Sequence, residues 1–210
     1  MNYFTKKTHN VFRSLVQRYG PEDAKRKLWN GEFASGHWKQ LEAGGDESVH
    51  LLVERYASKG SILDLGCGPG TIGIELDPAA YSIYTGVDIS DVAVLKARNR
   101  AQMAGRAERN QYLQSDILTY VPMRPYDVIL YGESIYYVPV RRVAAMLDRY
   151  ATYLTPGGVF VARFCEVTGK LREVLDIIEG HCQVAEKHLR EQTRTCLIVF
   201  RPRVGPSINL

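Results

Sequence analysis

Short β-rich runs alternate with segments of helical pattern from residue 61 onward. The runs that predict strands are Ser61–Leu65, Tyr81–Val87, Asn110–Gln114, Tyr126–Tyr131, Gly158–Phe164, Val184–Glu191 and Cys196–Arg201. The segments that predict helices are Thr71–Leu76, Asp91–Ala104, Val140–Leu154 and Leu171–Glu179. Strands that alternate with helices favour right-handed βαβ units, and therefore a doubly wound α/β fold with a mainly parallel sheet. Only a short polar link separates the last two runs, so we expect them to form an antiparallel hairpin.

The first 55 residues have a helical pattern instead. Glycines predict turns in it at Gly20-Pro21, Gly31, Gly36 and Gly44-Gly45. From the last turn we predict a helical N-terminal extension (1–55) within the same domain as the core (56–203), and a short tail (204–210). Both tryptophans of the chain lie in the extension, in a cluster of four rings: Trp29, Phe33, His37 and Trp38. This segment is either a lid over a ligand or an amphipathic helix docked at the sheet edge.

The composition is that of one globular domain, with 210 residues, 45% of them hydrophobic and 24% charged. No apolar run exceeds five residues, whereas a bilayer span needs about 20. The first ten residues lack the apolar stretch of about 7 to 15 residues of a secretory signal, so we expect a cytoplasmic protein. The four cysteines and five histidines show no metal-ligand spacing. We therefore expect no metal and no disulfides, with the cysteines as buried or half-buried thiols.

The net charge of +4 is unevenly distributed. Residues 1–30 contain seven lysines and arginines against two acidic residues, a local charge of +5. Such a segment attracts an acidic substrate or a phosphate backbone, unless it is only the solvated face of a helix.

A glycine-rich turn follows the first predicted strand. Gly66, Gly68 and Gly70 alternate with other residues, and Asp64 lies two positions before the first glycine. Glycines in such a turn permit positive φ and let a ligand approach the backbone. Because residue 71 is threonine, the spacing departs from the G-x-G-x-x-G pattern of dinucleotide sites, which disfavours a nicotinamide dehydrogenase.

Two further carboxylates follow the next strands. Asp88 ends the second strand run, where a carboxylate can accept hydrogen bonds from both hydroxyls of a ribose. Asp116, in Ser115-Asp116-Ile117, follows the third, where it can accept a hydrogen bond from an adenine amino group. Ligands of open α/β sheets bind at the carboxyl ends of the strands, so these residues predict a nucleoside site. The alternative is that Asp88 caps the following helix and Asp116 caps a turn.

Together, Asp64–Gly70, Asp88, Asp116 and the strand Tyr126–Tyr131 resemble the motif series of the class I S-adenosylmethionine-dependent methyltransferases, over about residues 60–200. The resemblance implies a Rossmann-like seven-stranded sheet with a C-terminal antiparallel hairpin. It also implies S-adenosylmethionine as cofactor, S-adenosylhomocysteine as product, and no metal. By the same resemblance the glycine turn contacts the methionine part of the cofactor, Asp88 holds the ribose, and Ile89 packs on the adenine. The implied cofactor-binding residues are Asp64, Gly66, Cys67, Gly68, Gly70, Asp88, Ile89, Asp116, Ile117 and Trp38.

The segment 132–139, after the fourth strand, faces the methyl group in this family. Here it lacks the Asn-Pro-Pro-Tyr motif of amino-methylating nucleic-acid enzymes and the Pro-Cys nucleophile of the cytosine type. It also lacks the second glutamate of protein arginine methyltransferases, since position 142 is arginine. Its Glu-Ser-x-Tyr-Tyr pattern is most similar to small-molecule members, loosely to nodulation N-methyltransferases. We therefore take Glu133, Tyr136 and Tyr137 as candidate catalytic residues, and Arg163, His37 and Trp29 as candidate substrate residues.

These candidates leave alternatives open. Glu133 favours an amine or hydroxyl acceptor, Arg163 favours an anionic one, and a zwitterion would satisfy both. A salt bridge between Arg163 and a neighbouring acidic side chain would remove that question. Each tyrosine could instead be core packing, and His37 a surface residue.

The leading hypothesis is a cytoplasmic methyltransferase, monomeric or homodimeric, that moves a methyl group to an oxygen or nitrogen atom of a small metabolite. We expect no membrane association and no nucleic-acid partner. An RNA methyltransferase is the alternative, because of the basic leading segment and four arginines in and after one helix: Arg98, Arg100, Arg106 and Arg109. A non-catalytic cofactor-binding regulator or partner subunit is the second alternative.

Overall fold

A computed structural model describes residues 12–39, 47–165, 167, 169–192 and 194–203. The chain forms one seven-stranded sheet. Its strands are β1 (Ser61–Leu65), β2 (Ile83–Asp88), β3 (Asn110–Gln114), β4 (Tyr126–Gly132), β5 (Leu154–Phe164), β6 (Cys182–Arg190) and β7 (Thr195–Pro202). The helices are α1 (12–19), α2 (Glu22–Ala34), α3 (Glu47–Ala57), α4 (Thr71–Glu75), α5 (Asp91–Met103), α6 (Val140–Ala151) and α7 (Lys170–His181), with a 3-10 turn at Ile135–Tyr137.

The strand order is β3-β2-β1-β4-β5-β7-β6. Strands β1 to β5 run parallel, and β7 pairs antiparallel with both β5 and β6. The predicted α/β class and the terminal hairpin are therefore confirmed. Register pairs Asp64 of β1 with Gly86 of β2, and Asp88 with Gln114 of β3. The carboxyl ends of these strands consequently lie side by side, which places the predicted acidic residues along one edge of the sheet.

Alternate residues of the central strands are buried on opposite faces of the sheet. Leu63, Ile129 and Phe160 belong to one apolar cluster, with residues of α6 and α7. Their neighbours Ile62 and Val128 belong to a second cluster, with residues of α3 and α5. Because both faces of the parallel strands are covered by helices, these strands are apolar at nearly every position.

Two expectations about the elements are wrong. The helix predicted over Val140–Leu154 ends at Ala151, because Leu154 already pairs with Tyr126 of β4 and so opens β5. Gly31 lies inside α2 rather than in a turn. A glycine within a helix costs about 1 kcal/mol relative to alanine, and the contacts that α2 makes with the core on either side of Gly31 outweigh that cost. Because of the pairing of Leu154, β5 begins four residues before the predicted Gly158. The turn predicted at Gly44-Gly45 lies outside the described residues, and the remaining strand and helix bounds from residue 61 onward agree within one or two residues.

The helix α3 packs with the core rather than over the strand ends. Its residues Val49 and Val53 are buried beside Ile62 of β1 and Val128 of β4. The predicted boundary at residue 55 falls inside this helix. Within the extension, it is therefore residues 12–39 that lie near the carboxyl ends of the strands.

The four cysteines are free thiols, and the expectation that all of them are buried or half-buried is wrong for one. Cys67, Cys182 and Cys196 are buried, while Cys165 is exposed. Among the described residues, no group of three or more histidine, cysteine or acidic side chains is arranged to hold a metal ion. Within the same ranges, every helix falls short of the length and apolarity that a bilayer crossing demands.

Candidate active site

A cavity of about 480 Å³ opens at the carboxyl ends of the parallel strands. It lies between the sheet edge on one side and residues of α1, α2 and the following turn on the other. From the strand ends and the loops after them it is lined by Gly66, Gly68, Asp88, Ile89, Asp116, Ile117, Leu118, Gly132, Glu133, Ser134, Tyr136, Tyr137, Val138, Arg163, Cys165 and Leu171. From the N-terminal segment it is lined by Gln17, Lys25, Trp29, Phe33 and Trp38.

The glycine turn forms one wall of this cavity. The N–H groups of Gly66 and Cys67 both donate to the carbonyl of Val87, at 2.7 and 3.0 Å, which ties the turn to β2. Gly66 has φ +86°, and a Cβ there would clash with the Cβ of Ser134. Only glycine fits this position, because both the backbone angle and the close approach exclude a side chain. Gly70 packs instead against Ala97, so it supports the turn from outside the cavity.

Asp88 lies at the end of β2, buried at the cavity wall. Its Oδ2 accepts a hydrogen bond from the N–H of Gly68 at 2.9 Å, and its Oδ1 accepts one from the N–H of Ser90 at 2.8 Å. Burial raises the pKa of Asp88 to about 6, although these backbone hydrogen bonds act in the opposite direction. The alternative that Asp88 caps the next helix is wrong, since the side chain of Ser90 caps α5 by accepting from the N–H of Ala93.

Two of the candidate cofactor residues lie behind the glycine turn. Asp64 is 1% exposed and accepts a hydrogen bond from the hydroxyl of Tyr84. Burial raises the pKa of Asp64 to about 7, and the nearby charge of Asp88 acts in the same direction. The Oδ1 of Asp64 is buried and has no hydrogen-bond partner among the described residues. Cys67 is buried next to these carboxylates, and desolvation raises the pKa of its thiol.

Asp116 follows β3 and is buried at the other end of the cavity. Its Oδ1 accepts a hydrogen bond from the N–H of Leu118 at 2.9 Å, so the carboxylate does cap a turn, as one alternative predicted. Its Oδ2 is paired with the ammonium group of Lys25, on α2. Sequence reasoning missed Lys25. A signal existed, because Lys25, Trp29 and Phe33 are four residues apart and therefore share one face of the helix.

Glu133 lies directly after β4 with φ +61°. Its Oε1 forms an ion pair with the guanidinium of Arg163. Its Oε2 accepts hydrogen bonds from the hydroxyl of Tyr136 at 2.6 Å and from the N–H of Cys165 at 2.9 Å. Arg163, a candidate substrate residue, thus forms an ion pair with a neighbouring acidic side chain. The two opposite charges neutralise each other, so a zwitterionic methyl acceptor is not required.

A row of aromatic rings joins the N-terminal segment to the loop after β4. Trp29 lies 5.9 Å from Trp38 and meets the ring of Tyr137 edge-on at 4.9 Å. Tyr137 lies 4.8 Å from Tyr136, measured between ring centroids. Desolvation by burial raises the pKa of Tyr136 far above its ordinary value and that of Tyr137 to about 12, so both are neutral phenols at pH 7. The structure places His37 outside this cavity wall, with its ring edge-on to Trp38 at 4.9 Å.

Polar contacts hold α2 against the core. Arg26 and Asn30 donate hydrogen bonds to Asp91, at the start of α5, with Nε and Nδ2 at 2.7 and 2.9 Å from its Oδ2. The ammonium of Lys96 donates to the carbonyl of Phe33 at 3.1 Å. These contacts and the Lys25 pair fix the face of α2 that carries the aromatic rings toward the cavity.

The arginines that motivated an RNA substrate are engaged within the protein. Arg98 donates to the carbonyl of Tyr112 at 2.6 Å, and Arg106 to that of Leu76 at 3.1 Å. The remaining two contact the carbonyls of Pro69 and Pro78. All four therefore donate hydrogen bonds to backbone carbonyls of the protein itself.

Residues 62–158 match the family model described as a methyltransferase domain. A curated relative is the 27-O-demethylrifamycin SV methyltransferase of Amycolatopsis mediterranei, 29% identical over 139 residues, which are 63% of this chain and 50% of the relative. The chain spans about half the length of the curated relatives it matches first.

Among solved structures, the N-methyltransferase NodS of Bradyrhizobium japonicum in complex with S-adenosylhomocysteine superposes with a TM-score of 0.67 at 20% identity. That match covers 85% of this chain and 98% of NodS. The magnesium protoporphyrin IX methyltransferase of Synechocystis, with bound S-adenosylhomocysteine, superposes with a TM-score of 0.68 at 16% identity, covering 86% and 100% of the two chains.

Proposed function

We propose that this protein is a class I S-adenosylmethionine-dependent methyltransferase that transfers a methyl group from S-adenosylmethionine to an oxygen or nitrogen atom of a small metabolite. The match of residues 62–158 to a methyltransferase domain supports this proposal. One observation carries the proposal. A single cavity brings the glycine turn and two strand-end carboxylates together with Glu133 and Tyr136. The candidate nucleoside site and the candidate acceptor site thereby share one cavity.

The residues of the cavity fit this cofactor. Asp88 is a buried carboxylate whose backbone hydrogen bonds leave lone pairs for the two hydroxyls of a ribose. Ile89 and Ile117 add apolar lining to the same cavity, and Asp116 provides an acceptor for an exocyclic amine. The volume of about 480 Å³ lies within the range of small-molecule sites, roughly 300 to 1,000 Å³. When bound, the cofactor supplies a methyl group already activated on a sulfonium.

The chain itself contributes orientation and exclusion of water. The rings of Trp29, Trp38 and Tyr137 contact one another and add apolar lining to the cavity. The hydroxyl of Tyr136 donates a hydrogen bond to Glu133. The lone pairs of the Tyr136 oxygen can therefore accept a hydrogen bond from an N–H or O–H of the methyl acceptor. Because Arg163, Tyr136 and a backbone N–H all stabilise the carboxylate of Glu133, we assign it as a positioning residue for Tyr136 rather than as the proton acceptor.

The proposal favours a small metabolite over RNA. The arginines in and after α5 donate to backbone carbonyls, so they do not form a row of cations directed at a phosphate backbone. The pairing of Glu133 with Arg163 leaves aromatic faces and hydroxyl groups as the main contacts for the acceptor. A cytoplasmic location and a monomeric or homodimeric state stay predictions.

The experiment has two stages. Calorimetry first measures binding of S-adenosylhomocysteine to the purified protein. Transfer of a labelled methyl group from S-adenosylmethionine into a size-fractionated cell extract then follows, with and without ribonuclease and with an Asp88→Ala protein as the inactive control. We expect label in the low-mass fraction. Label in ribonuclease-sensitive material would replace the proposal with the RNA alternative, and binding without any transfer would favour a non-catalytic binder.

A further inference from the structure

Lys25 is buried although it lies in the first turns of a helix at the protein surface. Only 8% of the residue is exposed, whereas Lys27, two positions further along the same helix, is exposed. Removing an ammonium group from water is costly unless a counter-charge and hydrogen bonds replace the water. The partner of Lys25 is Asp116, which lies 91 residues away in the chain and is itself 5% exposed.

This ion pair forms part of the cavity wall. Lys25 and Asp116 both line the cavity, together with Ile89 and Ile117. The two oxygens of Asp116 accept from different directions, Oδ1 from the N–H of Leu118 and Oδ2 from the ammonium of Lys25. Two donors on opposite oxygens fix the plane of a carboxylate, and each oxygen keeps capacity for a further hydrogen bond.

We propose that Lys25 is a positioning residue that orients Asp116 to accept a hydrogen bond from the exocyclic amine of adenine, an inference that rests on the proposed function. Lys25 remains paired when the cofactor binds, because the second lone pair of Oδ2 serves the amine. Since Lys25 belongs to α2, the same ion pair ties this helix to the end of β3, across the adenine end of the cavity.

Two measurable properties depend on this pair. The first is selectivity for a 6-amino purine, because a fixed anionic acceptor binds an amine and repels a carbonyl oxygen at the same place. The second is the rate at which the cofactor product leaves, because the pair is one of the contacts that tie α2 to the core, beside the hydrogen bonds to Asp91 and from Lys96.

The test compares Lys25→Met with Lys27→Met, the same substitution at an exposed position of the same helix. The ligands are S-adenosylhomocysteine and its analogue with oxygen in place of the adenine amine. Calorimetry gives both affinities, and stopped-flow displacement gives the dissociation rates. We expect Lys25→Met to lower the preference for the amine about tenfold, the value of one hydrogen bond to a charged group, and to speed dissociation. Lys27→Met should match the wild type.

Equal losses of affinity for both ligands in Lys25→Met would show a merely structural role and overturn the inference. So would an unchanged preference for the amine. If the wild type binds neither ligand, the proposed function fails and the inference fails with it, an outcome distinct from the other two.

A second set of variants covers the case in which Lys25→Met fails to fold. Lys25→Met combined with Asp116→Asn removes both charges of the pair, so no ion is left buried alone. We expect this double variant to fold, and its preference for the amine to equal that of Asp116→Asn alone, because Lys25 acts through Asp116. A further loss in the double variant would mean that Lys25 contacts the ligand directly, contrary to the inference.

Discussion

Opposing effects act on the single carboxylate of Asp88. Burial in the cavity wall raises its pKa to about 6, while hydrogen bonds from the N–H groups of Ser90 and Gly68 lower it. The group is therefore ionised at pH 7 but protonates within a mildly acidic range. An ionised carboxylate with both oxygens directed by backbone donors is a ready acceptor for hydroxyl groups of a ligand.

Replacement of Asp88 by alanine should weaken binding of S-adenosylhomocysteine about 10- to 100-fold, because hydrogen bonds to a charged group are lost. In the wild type, affinity should fall as the pH drops through about 6, where Asp88 gains a proton and loses its acceptor capacity. An Asp88→Asn protein should bind weakly and show a smaller pH dependence. Calorimetry from pH 5 to 8 measures both, with circular dichroism to check the fold. Unchanged affinity in Asp88→Ala would contradict the placement of the ribose.

Glu133→Gln should lower kcat about tenfold or more and leave the affinity for S-adenosylhomocysteine nearly unchanged. The amide keeps the shape of the side chain but loses the charge that holds Arg163 and the hydroxyl of Tyr136. Steady-state kinetics once the acceptor is identified, together with calorimetry, separate the two effects.

Tyr136→Phe is the matched control for this role. If Glu133 acts through Tyr136, the combination of both substitutions should be no slower than Tyr136→Phe alone. Parallel losses of turnover and cofactor affinity in Glu133→Gln would instead make Glu133 a ligand of the cofactor.

At the scale of elements, one glutamate connects α1, α2 and the turn after α2. Glu32 accepts a hydrogen bond from Nη2 of Arg13 at 2.8 Å and one from the indole N–H of Trp38 at 2.8 Å. Burial alone would raise the pKa of Glu32, but these hydrogen bonds and the charge of Arg13 outweigh it, so the pKa is lowered. The ionised Glu32 therefore stabilises the packing of α1, α2 and the following turn at pH values above its ordinary pKa. This contribution is lost as the pH falls through the lowered pKa of the folded state.

Glu32→Gln should loosen the N-terminal segment without unfolding the core. We expect faster amide hydrogen exchange over residues 12–39 and a several-fold faster release of S-adenosylhomocysteine, because Trp38 loses the charged acceptor that fixes it. Glu22→Gln, at an exposed position of α2, is the control. Exchange rates in Glu32→Gln that equal those of the control would show that this network does not hold the segment in place.

Elements of the sheet were predictable where the local pattern alone decides them. The runs 61–65 and 110–114 agree with β1 and β3 at both ends, and β6 and β7 form the antiparallel pair expected of the last two runs. The start of β5 was not predictable. Leu154 follows a helical pattern without a break, and only its pairing with Tyr126 assigns it to the sheet.

For the molecule as a whole, the buried carboxyl group of Asp64 makes the free energy of unfolding depend on pH. Asp64 has an ordinary pKa near 3.9 when unfolded and a folded pKa of about 7. Between these values the folded state binds more protons than the unfolded state, so the free energy of unfolding falls as the pH rises and levels off above about 7.

Urea unfolding of the wild type and of Asp64→Asn at pH 5 and pH 8 tests this linkage. The fall in unfolding free energy between the two pH values should be smaller in Asp64→Asn by about 1 to 3 kcal/mol. Carboxyl groups with lowered pKa, such as Asp91 and Glu186, are common to both proteins and cancel in the difference. An identical pH dependence in the two proteins would contradict a raised pKa at Asp64.

The sequence by itself determined the class of fold, the glycine turn and the row of acidic residues at the strand ends. It could do so because strand and helix periodicity is local, and because parallel strands must bring their carboxyl ends to one edge. Only the tertiary structure decided which side chains pair there. Lys25 meets Asp116, and Arg163 meets Glu133, across 91 and 30 residues of chain. The first pair depends on how α2 docks against the sheet, and the second on which strand ends lie next to each other. The periodicity of one segment carries no information about its contact with a distant segment.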